Sequence, residues 1–293
     1  MLREQPSCLA IALIPSPLRA ITRISTASSW VNIDGTKKAV ILSQVGQFYV
    51  DGVGQYYSGA NSWDAGNEDK AEELLRSLLL VVPNHIDALH HLAMIFASQG
   101  LELEAYLSWR EAVRVGMEGI PAEFSWHAGR MLWGYLSNRP FLRAYHALGL
   151  HLQAHQGAAK AIEVFARLVS VNPNDNLGAR YVLMQALLDT GDWTKAATLF
   201  RSYPDDVGPD IAYSGPVALL HLGEMENAKI GLERAVNINR RVAIELLKTR
   251  HVRPVEEHPG YMGGAEEAFD YWERNRVHWA RDSKVLKLLK EII

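Results

Sequence analysis

The chain has 293 residues, 48% hydrophobic and 22% charged, a balance that excludes a largely disordered, charge-dominated polymer. Lys plus Arg number 30 and Asp plus Glu 33, so the net charge of -3 lacks the basic excess a dedicated nucleic-acid binder uses to displace counterions. The single cysteine, Cys8, excludes an internal disulfide and a cysteine-built zinc site, and no apolar run approaches the ~20 residues that span a bilayer.

Residues 1–40 carry Pro6, Pro15 and Pro17, scattered serines and few acids, and read as a disordered extension. The apolar stretch Cys8 to Ile14 falls short of a secretory signal, while an organellar transit peptide or an overlong start stay open. Residues 41–242 are repetitive. Val50, Val53, Gly54 and Tyr57 predict the first helix of a loose first unit, and Ala71, Leu75 and Leu78 its second, with extra residues around Asn61 to Asp64 between them. After Pro83 comes a sharper unit, 86–119: Leu89, Leu92, Ala93 and Phe96 at helical spacing, then Gly100, then Ala105, Trp109 and Ala112. An insert at 117–141 is rich in Trp126, Trp133 and Tyr135; Pro121 is expected to open a short helix there and Asn138-Arg139-Pro140 to close it. The pattern returns over 142–175 through Tyr145, Leu148, Gly149, Leu152, Gly157, Ala161, Phe165 and Leu168, ending at Pro173. Unit 177–208 follows with Leu183, Met184, Leu187, the turn Gly191-Asp192-Trp193, Ala196 and Phe200, and Pro204 cuts its second helix short. Unit 209–242 fits through Leu219, Gly223, Ala228, Leu232 and Ala235, with a kink or late start predicted at Gly215-Pro216. Over 243–293 a short helix (Ala243 to Thr249) and a Pro/Gly-rich loop lead to two amphipathic helices, marked by Ala265, Ala268, Phe269, Trp272 and Trp279, then by Val285, Leu288, Leu289 and Ile292. This tail reads as a helical cap over the last unit, a membrane-surface or partner helix being the alternative.

Small residues at the eighth place (Ala93, Gly149) and the twentieth (Ala105, Ala161), with bulky ones at the eleventh and twenty-fourth, resemble the 34-residue tetratricopeptide repeat. The wording Asn-Arg-Pro-Phe-Leu-Arg-Ala at 138–144 and Asn-Pro-Asn-Asp-Asn at 172–176 is similar to uncharacterised bacterial tetratricopeptide proteins. The resemblance implies an all-α fold: a right-handed superhelical solenoid of stacked helix-turn-helix units with the tail as its C-terminal cap. It also implies that the first helix of each unit lines a concave groove. Carried across place by place, the groove-facing residues are Asp87, His90, Met94 and Ser98; Arg143, His146, Leu150 and Gln153; Gly178, Tyr181, Gln185 and Asp189; and Asp210, Tyr213, Val217 and His221. Arg143 alone does not make the Lys/Asn/Arg set with which some repeats of this family clamp a chaperone's C-terminal carboxylate.

Catalytic chemistry finds no support. There is no Gly-rich phosphate loop, no Gly-x-Ser-x-Gly elbow and no Cys/His pairing. Glu72-Glu73, Glu256-Glu257 and Glu266-Glu267 are adjacent pairs that point apart on a helix. His151 and His155 stand four apart, a workable spacing for two metal ligands, and His146 is nearby. A metalloprotease helix needs Glu after the first histidine, however, and Leu152 stands there. The histidines therefore read as groove and surface residues, with no metal and no cofactor. The expected function is a non-catalytic scaffold or adaptor, cytoplasmic, holding a peptide or protein segment in the groove. Alternatives are a helical-repeat RNA-binding protein and an accessory subunit of a separately encoded enzyme.

Overall fold

Amphipathic helices joined by tight turns must bury their apolar stripes against one another, and in this chain they do so in consecutive pairs. The computed structural model describes residues 26–32, 38–44, 66–255, 262–281 and 283–293. The helices are α1 (Glu68–Val81), α2 (Ile86–Ser98), α3 (Glu102–Glu118), α4 (Arg139–Gln156), α5 (Ala158–Val171), α6 (Ala179–Thr190), α7 (Trp193–Ser202), α8 (Pro209–Ala212), α9 (Ser214–His221), α10 (Met225–Ile238), α11 (Arg240–Leu247), α12 (Ala265–Arg281) and α13 (Ser283–Ile292). α2 packs on α3, α4 on α5, α6 on α7 and α9 on α10, and each pair leans on the next, which makes the tetratricopeptide-like solenoid.

The turn inside each of these pairs needs a backbone that an L side chain rarely adopts. Gly100, Gly157, Gly191 and Gly223 have φ of 75°, 93°, 73° and 80°, so glycine is required at the same place four times. The small residues matter at the crossings. Ala93, Ala105 and Ala161 are fully buried, and a Cβ at Gly149 would lie 2.7 Å from the Phe165 ring. At Asp175, the one described non-glycine residue with positive φ, the carboxylate accepts the Ala179 and Arg180 backbone N–H groups, both at 2.8 Å, and starts α6.

Several details differ from the sequence reading. Residues 26–44, placed mostly in a disordered extension, include an antiparallel pair, β1 (Thr26–Asn32) and β2 (Lys38–Gln44), with Thr26 opposite Gln44 and Asn32 opposite Lys38. In the sequence, the Asp34-Gly35 dipeptide between two short apolar-bearing runs is the kind of residue pair that favours a hairpin. The predicted first helix around Val50 to Tyr57 lies outside the described residues. Pro121 opens a turn rather than a helix: Phe124 N–H donates to its carbonyl at 2.9 Å. Asn138-Arg139-Pro140 begins a helix rather than ending one, because a proline in the first turn lacks an N–H that would have no intrahelical acceptor. The kink expected at Gly215-Pro216, by contrast, is present: Pro216 cannot donate to the Ala212 carbonyl, and the helix is interrupted at Tyr213 between α8 and α9.

The cap is substantial. Tyr213, Val217, Leu232 and Val242 share one apolar cluster with Tyr271, Trp279, Val285 and Leu289. No described helix is long and apolar enough to cross a membrane.

Candidate functional site

The first helices of the pairs, α2, α4, α6 and α9, contact one another in succession and form one face of the stack. Over α2 and α4 it holds a cavity of about 530 Å3, whose lining includes His90, Met94, Trp109, Arg143, His146 and Leu150. Its floor is set by tertiary contacts. The Trp109 indole N–H donates to His90 Nδ1 at 3.2 Å, and since an indole is a donor only, the proton of neutral His90 sits on Nε2. Burial, with His91 alongside, pushes His90 down to about 3. Burial pushes His146 down to about 4, so both rings are neutral near pH 7.

Arg143 crosses from α4 to α2, where its Nη2 donates to both carboxylate oxygens of Asp87 at 2.7 Å. Its Nε is buried and makes no hydrogen bond, and neither does His146 Nε2. Two buried nitrogens on the wall of a mainly apolar cavity therefore want polar partners. At the mouth, Glu102 in the first turn of α3 meets His151 and His155 from α4.

Further along the same face the groove is filled by the chain itself. Helix α12 lies over α6 and α8. His278 Nε2 sits 2.9 Å from Asp189 Oδ1, which also accepts from the Gln185 amide at 3.0 Å. Arg274 donates to Asp210 at 2.9 Å. Beneath them the Tyr271 hydroxyl pairs with Ser214 Oγ and accepts the Trp279 indole N–H, both at 3.0 Å.

The residues predicted to line one continuous groove thus divide. His90, Met94, Arg143, His146 and Leu150 come together around the cavity, and Gln153 lies outside its lining. Tyr213 and Val217, expected to meet a partner, are 1% and 0% exposed, because the tail aromatics cover them. Gln185 is engaged by α12 as well. Tyr181 belongs to a turn cluster instead, its hydroxyl reached by the Arg180 guanidinium and directed at Asp206. His221 stacks on Trp193 with ring centroids 3.9 Å apart, at the rim. The repeat pattern of a unit carries no sign of a helix that arrives from about 90 residues further along the chain. Among the residues missed, Trp109 reads as core from its period, and Glu102 gives no signal because its partners lie on another helix pair.

A solenoid of helical pairs with a groove part open and part self-occupied is the class these features define. Within that class, residues 64–285, well over half of the chain, match the profile of the family described as "Transcriptional repressor TCF25", and the chain belongs to that family. The sequence resemblance points to tetratricopeptide proteins; the family model that matches is a different one, while the helical pairs of this chain are tetratricopeptide-like. No curated relative matches the chain. Among solved structures it is similar to YrrB, described as a TPR protein with an unusual peptide-binding site, at 17% identity and TM-score 0.49, over 67% of this chain and 93% of that one. It is also similar to MamA, at 17% identity and TM-score 0.47, over 69% of this chain and 98% of that one.

Proposed function

We propose that the chain is a non-catalytic interaction protein that holds a segment of a partner protein over α2 and α4. An apolar side chain of that segment fills the cavity, and an acceptor oxygen meets Arg143 Nε or His146 Nε2. The observation that carries this reading is the pairing of an open, mainly apolar cavity with two buried nitrogens that have no partner. Ligand sites commonly have this composition, apolar walls with a few placed polar groups, in a volume of about 300–1,000 Å3. The neighbouring stretch of the same face already accepts a helix through buried aromatics and a few polar contacts. A role in transcription, suggested by the family's description, fits action through protein contacts better than direct nucleic-acid contact, given the net charge of -3.

The test is affinity co-purification from native extract, comparing the wild-type chain with a Met94→Arg, Leu150→Arg variant and checking helicity by circular dichroism. A protein held by the wild type and lost from the variant supports the groove. Identical sets from both refute it. Recovery of single-stranded RNA, released as salt rises, would favour the helical-repeat RNA-binding alternative.

A further inference from the structure

The histidines set aside in the sequence acquire a third member in the fold. Glu102, His151 and His155 each offer one ligand atom, and the three atoms lie within 4.8 Å of one another. One carboxylate oxygen, Glu102 Oε2, is the point of convergence: His151 Nδ1 is 3.6 Å from it and His155 Nε2 3.2 Å. Ligand atoms held about 2.0–2.1 Å from a tetrahedral zinc ion are separated by roughly 3.3 Å, so the two nitrogen-to-oxygen spacings are already close to those of an occupied site. The buried ring, His151, is held in place by stacking on Tyr106 and by Trp109, with centroids 5.4 Å and 5.7 Å away. His155 is stacked on His151 at 4.3 Å and is exposed, and its ligand nitrogen lies within 4.8 Å of the other two ligand atoms. All three line the mouth of the cavity over α2 and α4.

We infer that Glu102, His151 and His155 form a binding site for a divalent transition-metal ion of the zinc type, with a fourth position open toward the cavity. Two imidazoles and one carboxylate are a borderline donor set, suited to zinc and poorly suited to calcium or magnesium, which take oxygen ligands. The site does not depend on the groove holding a peptide; the ion binds to the chain alone, and its open position is filled by water until another donor arrives. Arg143 and His146 lie in the same cavity but outside this ligand set.

The experiment is calorimetric titration of zinc into untagged, chelator-stripped chain, repeated with His155→Ala and with Glu102→Gln, and paired with visible absorption of the cobalt-loaded protein. Both substitutions replace exposed residues, and far-UV circular dichroism confirms that the helices persist. Expected is one equivalent of zinc per chain, intense visible bands from four-coordinate cobalt, and a loss of more than about ten-fold in affinity in each variant, since even outer partners of a metal site are worth about that much. Absence of saturable binding, or binding kept within about two-fold in either variant, overturns the inference. Weak pale-pink cobalt spectra, the mark of six-coordinate ions on scattered surface groups, overturn it as well.

Discussion

Replacing Tyr271 by Phe removes one oxygen from the place where the tail meets the concave face. That hydroxyl is fully enclosed, and it accepts the Trp279 indole N–H while pairing with Ser214 Oγ, each at 3.0 Å. Ser214 is 1% exposed and Trp279 2%, so water cannot replace what is lost. Stranding the indole N–H costs about 1–3 kcal/mol, and losing the Ser214 bond adds about 1 kcal/mol net if the serine finds no other partner. The sum, roughly 2–4 kcal/mol, is a large share of the stability of a domain. Tyr213→Phe is the internal comparison: its hydroxyl donates to the Asn239 carbonyl at 2.7 Å, and its loss strands one acceptor alone, for about half the effect. In a solenoid each unit contacts only its neighbours, so the change is confined to the C-terminal end. Hydrogen exchange should therefore show faster opening of α9 and α12 with α2 to α5 unaltered, alongside a lower urea midpoint by circular dichroism. A Tyr271→Phe chain within about 0.5 kcal/mol of wild type, the range of a surface substitution, would refute the buried docking of α12.

Gly149→Ala places a Cβ 2.7 Å from the Phe165 ring, at the crossing of α4 and α5. Because an aromatic ring packed in the core cannot yield cheaply, a loss of about 1–3 kcal/mol in urea unfolding is expected despite the better helix propensity of alanine. His146 is pushed down to about 4 by burial, against about 6.5 when unfolded. Below pH 6.5 the unfolded chain takes up that proton and the folded chain does not. The contribution of His146 is thus complete above pH 6.5 and is lost as the pH falls toward 4, at about 1.4 kcal/mol per pH unit. Urea unfolding at pH 7 and pH 5 should show a drop that is smaller by about 2 kcal/mol in His146→Gln; equal drops in both chains would contradict the buried neutral ring.

The helical pairs were legible in the sequence because their cause is local. A 3.6-residue apolar period, the glycines Gly100, Gly157, Gly191 and Gly223 at positive-φ turns, and the prolines Pro83, Pro173 and Pro204 between units are written in the residues that adopt those conformations. The small residues at Ala93, Ala105, Gly149 and Ala161 announce which helix faces approach closely, and the five cavity residues from His90 to Leu150 follow from their place in the unit. What the sequence could not assign is contact between residues distant along the chain. The tail reads as an amphipathic helix, yet nothing in Tyr271, Arg274 or His278 names Ser214, Asp210 or Asp189 as its partners. Tyr213 accordingly looks like a groove aromatic until α12 covers it. Glu102 likewise reads as an ordinary surface acid in a first helical turn, and becomes a candidate ligand when the superhelix brings α4 against α3. Local periodicity determines which faces are apolar; the stacking of the pairs decides which of those faces stay open, and that depends on the summed geometry of every turn between them.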